Sequence, residues 1–191
     1  MSIENKNYKL LTVNIIHFQD RVDREIMLQN EWRDLDVECR IWPGIWDSES
    51  IIRGIARAHK QIVQHARDRN IPEVLIAEDD LRFTAPGAFD YFLRAKPKDF
   101  DIYLGGIYHG WIKEDHTVDD FSALTLYILK ERFYDIFLNT DETEDLDRAL
   151  RGKGKFVVCE PFVAIQYDGY SDRRQRYYSY ESYLIGRSLF V

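Results

Sequence analysis

Residues able to do chemistry concentrate at Glu78, Asp79 and Asp80, adjacent carboxylates that directly follow the apolar run Val74 to Ala77. A run apolar on both faces predicts a strand inside a helix-covered sheet, ending where the sheet meets water. In open α/β sheets that carboxyl edge is where ligands sit. Adjacent acids repel one another unless something cationic lies among them, and oxygen donors at this density suit Mg²⁺ or Mn²⁺. Side chains alternate along a strand, so Glu78 and Asp80 share one side and Asp79 points away. Glu78 and Asp80 are therefore the expected metal residues. One of them can hold the ion and the other a sugar hydroxyl or a metal-bound water. The competing expectation, an acidic loop capping the next helix, fits less well because the acids abut the apolar run without a spacer.

The elements before this strand explain how it is placed. Lys9 to His17 is β-branched and apolar, which predicts a first strand. Asp20 to Trp32 spaces Val22, Ile26 and Leu28 as a helix packed on the sheet would. Val37 to Trp42 reads as a short strand closed by Pro43-Gly44. Ser48 to Asn70 is the clearest helix, with Ile51, Ile52, Ile55, Ala58, Ile62, Val63 and Ala66 at spacings of three and four, and Asp47 or Ser48 as its cap. The order β, α, β, α, β is half of a doubly wound parallel sheet. Beyond it the pattern predicts a helix over 87–93, a strand over 101–104, a surface loop with binding duty over 107–120, a strand over 122–129, helices over 130–138 and 145–151, and one or two strands over 155–166 interrupted at Pro161. The fold class expected is α/β, a three-layer α/β/α sandwich.

Length and charge narrow the function classes. A chain of 191 residues with 45% hydrophobic content can bury a core as one domain, residues 1–191, alone or within a longer protein. A net charge of −7 argues against general nucleic-acid binding, which needs a surplus of Lys and Arg. Cys39 and Cys159 have no metal-ligand or disulfide spacing and are expected to be buried free thiols in a reducing compartment. Met1 to Lys9 lacks an apolar signal core, and no uncharged apolar run reaches membrane-spanning length. A soluble cytoplasmic protein without a transmembrane segment is expected.

Several motifs then occur in a telling order. Gly54 to His59 precedes Asn70-Ile71-Pro72 and the strand into Glu-Asp-Asp. Ala123 to Leu138 follows, with Tyr127-Ile128, then Glu144-Asp145-Leu146 and Pro161 to Gln166. The series resembles the family 25 glycosyltransferases, which build lipopolysaccharide and modify collagen. That family carries a Gly, a Ser-His pair, a DXD-like Glu-Asp-Asp motif, a Thr-Ala-Tyr-Ile strand, a Val-Asp-Leu element and a Pro-x-x-x-x-Gln strand in this order. Ala58 stands where the family usually has Ser, and His17 to Arg24 matches its Asn-Leu and Arg pattern only loosely.

The resemblance implies a GT-A (Rossmann-like) fold with a mixed, mostly parallel sheet. It also implies a nucleotide-sugar donor, UDP-linked, a divalent metal, and inverting transfer to a hydroxyl of a glycan, glycolipid or glycoprotein. Glu78, Asp79, His59, Arg21 and Arg173 would contact the donor or orient the residues that do. His59 lies along the apolar stripe of its helix, where a buried structural histidine is equally at home. Asp145 matches the family's aspartate and is the expected base for the acceptor hydroxyl. An aspartate at a helix start is also an ordinary cap, and Glu144 or Asp147 could take the base role instead. Asp168, Ser171, Arg173 and Arg174 belong to a Tyr/Arg-rich tail that could close over the donor or form a packing or partner surface. His17, His65 and His109 carry no motif and receive no role. Two rival functions remain: a metal-dependent nucleotidyl- or phosphotransferase, which the lack of a Gly-rich phosphate loop weakens, and a non-catalytic nucleotide-sugar-binding domain.

Overall fold

The computed structural model describes residues 11–191. Its first half is β1 (Thr12–His17), α1 (Val22–Trp32), β2 (Glu38–Pro43), α2 (Ile51–Asp68) and β3 (Glu73–Glu78), the βαβαβ order expected. Lys9 and Leu10, at the start of the expected first strand, lie outside the described residues. The chain continues through β4 (Leu81–Phe83), α3 (Ala88–Ala95), β5 (Ile102–Leu104), β6 (Thr117–Val118), β7 (Leu126–Lys130), α4 (Tyr134–Leu138), α5 (Leu146–Ala149), β8 (Phe156–Val158) and β9 (Ala164–Gln166). It closes with a hairpin of β10 (Gly169–Ser171) and β11 (Arg176–Tyr178).

Seven strands form one sheet in the order β2-β1-β3-β7-β5-β8-β6. β1 pairs in parallel with β2 and β3, and β5 with β8, while β7 and β6 run against their neighbours. The sheet is mixed and mostly parallel, with apolar residues buried on both faces. Val74 and Ile76 of β3 join Ile62 and Val63 of α2 and Phe137 of α4 in one core. Leu75 and Ala77, pointing the other way, join Trp32 of α1 and Phe92 of α3 in a second core. Three layers follow directly from this alternation.

Several local expectations are corrected. α1 turns Leu28 and Trp32 toward the sheet, and Val22 and Ile26 are exposed. The inward line is Arg24, Leu28 and Trp32, four residues apart, with Trp32 buried and the other two half-buried, so the helix carries an arginine along its inward face. Ser50, not Asp47 or Ser48, caps α2 by accepting from the Arg53 N–H, and Asp47 accepts from the N–H groups of Glu49 and Ser50. Asp47 thus closes the turn one step before the helix. Ile55 leaves the expected stripe for solvent, because His59 and Lys60 are buried in the face that packs. Cys39 is also exposed, on the edge strand β2, and Cys159 is buried; both are free thiols.

Candidate active site

A cavity of about 400 Å³ opens at the carboxyl ends of β1, β2 and β3. Its floor carries Glu78, Asp79 and Asp80. The segment after β2 supplies Trp46 and Asp47, α2 supplies Ile55 and His59, the start of α5 supplies Asp145 and Asp147, and the tail supplies Ser171 to Arg174. Gly54 holds two of these elements together. A Cβ there would collide with the Ile45 carbonyl oxygen, so only glycine lets α2 approach this closely.

The three acids separate as expected, but only Glu78 belongs to β3; Asp79 and Asp80 lie in the turn that leads to β4, so the turn and not strand alternation sets their directions. Asp79, 4% exposed, turns toward β1 and α1: it accepts from the Phe18 N–H at 3.3 Å, meets the His17 ring at 2.8 Å and receives Arg24 at 2.7 Å. Arg24 reaches Asp80 as well, at 3.1 Å. Glu78 and Asp80 meet on the other side, where the Gln166 amide lies 3.3 Å from Glu78 and 3.2 Å from Asp80. Buried Tyr127 keeps its hydroxyl proton, and that hydroxyl is 3.0 Å from His59 Nδ1. The opposite nitrogen of His59 lies 3.4 Å from Glu78, so the ring steadies this acid from behind.

Arg24 is one fixed positive charge among three carboxylates. Burial alone would weaken its charged form, but the attraction of Asp80 and Asp79 reverses this and holds the guanidinium charged. Burial also opposes ionisation of Glu78, yet His59 and then Arg24 outweigh it, and its pKa falls below the ordinary glutamate value. Asp80 ends differently. Burial pushes it up to about 7 against the pull of Arg24, and repulsion from Glu78 and Asp79 adds to the rise. Burial, more than the surplus of carboxylates over Arg24, is what raises Asp80.

The other expected residues are placed as follows. Asp145 stands at the N-terminus of α5, but its side chain makes no cap hydrogen bond. Both of its oxygens face Arg173, with Nε at 2.7 Å, so these two cavity residues are paired with each other. Asp147 is engaged by the backbone, accepting from Ala123 and Arg148 N–H at 2.8 Å each, and burial raises its pKa. Glu144 is exposed outside the cavity lining. Arg21 also lies outside that lining; it pairs with Asp23 and with Asp172, tying α1 to the tail. From the loop 107–120 the cavity receives Tyr108, while His109 and Trp111 stay outside.

Sequence patterns single out neither Arg24, His17 nor Tyr108, and they present Gln166 only as the end of a motif. A faint signal exists for Arg24, since it lies eight residues before Trp32 on one helix line. None marks His17.

No protein-family model matches this chain, and no curated protein matches it in sequence. Among solved structures it is similar to A197 from STIV, with a TM-score of 0.51 and 12% identity over 88% of this chain and 93% of that chain. It is also similar to a glycosyltransferase involved in glycosylation of the major capsid of PBCV-1, with a TM-score of 0.52 and 8% identity over 80% of this chain and 82% of that one. The fold is GT-A-like. A weaker likeness, with a TM-score of 0.44 and 12% identity over 78% of this chain and 90% of that one, is to HddC from Yersinia pseudotuberculosis complexed with GMP-PN. Among the described residues no helix is long and apolar enough to cross a membrane.

Proposed function

We propose that this chain is a metal-dependent, inverting glycosyltransferase of the family 25 type. It would move a sugar from a nucleoside-diphosphate donor, UDP-linked, to a hydroxyl of a glycan, glycolipid or glycoprotein. The observation that supports this best is the joining of Glu78 and Asp80 through Gln166 on the floor of a cavity whose wall carries Asp145. Among the described residues no three His, Cys, Asp or Glu side chains gather into a ready-made metal cage. Two carboxylates suffice for Mg²⁺ or Mn²⁺ when phosphate oxygens and waters complete the shell, and such an ion would offset the cost of keeping buried Asp80 ionised beside Glu78. Glu78 and Asp80 would hold it. When bound, the ion supplies charge that stabilises the departing diphosphate.

The chain's own residues do the rest. Phe18 and Trp46, with ring centroids 6.1 Å apart, and neighbouring Ile51 and Ile55 offer an apolar wall for a nucleoside. Asp79, held by His17 and Arg24, keeps the turn after β3 in place beside the donor. Arg173 is suited to a diphosphate oxygen pair, and its turn toward that anion would release Asp145. Asp145 would then take the proton of the acceptor hydroxyl as its oxygen bonds to the anomeric carbon. The bond from that carbon to the β-phosphate oxygen breaks on the opposite face, and the nucleoside diphosphate leaves with the electron pair.

The test is a panel of nucleotide sugars, with and without Mn²⁺, scored for release of nucleoside diphosphate with and without hydroxyl acceptors. Metal-dependent release from one donor, lost in Asp80→Asn, is the expected result. Release of pyrophosphate instead would transfer the site to nucleotidyl chemistry. Binding of a donor without turnover on any acceptor would leave a binding domain.

A further inference from the structure

The tail contains an arrangement that donor binding does not use. The β10–β11 hairpin pairs Gly169 with Tyr178 and Ser171 with Arg176, and Asp168 closes its base by accepting from the Ser179 hydroxyl and the Tyr180 N–H. Four tyrosines run from the cavity onto this hairpin. Tyr108 and Tyr180, both in the cavity wall, stack with centroids 4.8 Å apart. Tyr178 lies 5.1 Å beyond Tyr180, and Tyr183 lies 5.9 Å from Tyr108. The outer end carries two exposed arginines, Arg174 and Arg176, over the Tyr178 ring at 4.0 and 5.8 Å. Neither has a carboxylate partner among the described residues, although the chain's net charge is −7. Arg173 beside them is taken by Asp145 and Arg21 by Asp172, so within this hairpin Arg174 and Arg176 are the arginines held over an aromatic ring and not by a carboxylate.

We propose that this tyrosine and arginine track binds the acceptor, and that the acceptor is an anionic glycan carrying carboxylate or phosphate groups. The inference rests on the transferase reading above and names its second substrate. Tyrosine rings offer flat apolar faces with a polar tip, which suits sugar rings lying edge to edge. Guanidinium groups held over an aromatic ring keep their N–H fork free for a carboxylate or phosphate oxygen pair. The track is continuous with the cavity, so a chain lying along it directs its end toward Asp145. Arg174, which also lines the cavity, and Arg176 mark the place where the acceptor's charge would lie, along the track from the reacting hydroxyl.

Calorimetry on the full chain tests this with five probes: tetragalacturonate, a neutral galactotetraose, a maltotetraose 6-phosphate, neutral maltotetraose and a short poly-glutamate peptide. Tetragalacturonate or the phosphorylated sugar should bind roughly tenfold more tightly than its neutral counterpart at low salt, the gain expected of about one charge-assisted hydrogen bond. Whichever binds better identifies the anion. The preference should disappear in R174A/R176A and return in R174K/R176K, and high salt should weaken it. Equal binding of charged and neutral sugars, an unchanged preference in R174A/R176A, or equally tight binding of poly-glutamate overturns the proposal. The two readings fail separately. Donor turnover on neutral acceptors without anionic preference refutes the track and keeps the transferase. Anionic-sugar binding that R174A/R176A abolishes, in a protein that binds no nucleotide sugar, keeps a glycan site and refutes the transferase.

Discussion

Replacing Asp80 with asparagine should make the protein more stable while abolishing its metal-dependent activity. The carboxyl of Asp80 is pushed from an ordinary 3.8 up to about 7, burial being the main cause. Its folded-state pKa lies above its unfolded one, so the stability linked to this group is complete below about pH 4 and is lost as pH rises through about 7. Each pKa unit is worth about 1.4 kcal/mol, so ionised Asp80 costs the unliganded protein at most about 4 kcal/mol at pH 8. The amide introduced by Asp80→Asn resembles the protonated acid. It can keep an oxygen toward Arg24, now 3.1 Å from Asp80, and its NH₂ can face a rotated Gln166. At roughly 2 to 4 °C per kcal/mol for a chain of this size, Tm should rise by several degrees and by no more than about 16 °C. The assay is thermal unfolding of both proteins from pH 4 to pH 8, with and without Mn²⁺. The gap should be widest at pH 8 and close toward pH 4, and Mn²⁺ should raise Tm of the wild type alone. A variant no more stable than wild type at pH 8, or a gap independent of pH, would refute the argument that burial makes ionised Asp80 costly.

Two further substitutions test the geometry around the floor. Gly54→Ala should destabilise the fold by roughly 1 to 3 kcal/mol despite alanine's better helix propensity, because the new methyl meets the Ile45 carbonyl; denaturant unfolding measures it, and a stabilised variant would show that α2 can move away. Asp145→Asn should lower kcat roughly 10² to 10⁴-fold with little change in donor KM, as expected for loss of a base, and steady-state kinetics that show only a KM effect would reassign Asp145 to binding.

Much of this architecture is written locally in the chain. The strand that leads into Glu78-Asp79-Asp80, the βαβαβ order and the three layers follow from apolar runs of strand length, a helical stripe and the stops at Pro43-Gly44 and Pro72, all of which act between near neighbours. Strand alternation predicts the separation of Asp79 from Glu78 and Asp80, but the turn after β3, where Asp79 and Asp80 lie, is what produces it. Other features were decided only when distant segments met. Arg24 became the cation among the acids because α1 packs through Trp32 and Leu28, and Val22 and Ile26, which look more apolar on paper, were left in water. His17 received a carboxylate because β1 lies beside β3, with Ile16 opposite Glu78. Gln166 reached Glu78 and Asp80 across 88 and 86 residues, and Arg173 reached Asp145 across 28. The sequence by itself determined which residues carry charge and which strand presents the acids. Which opposite charge each acid meets depended on the order of strands in the sheet and on the path of the tail, because burial and ion pairing are properties of the assembled layers and not of any one segment.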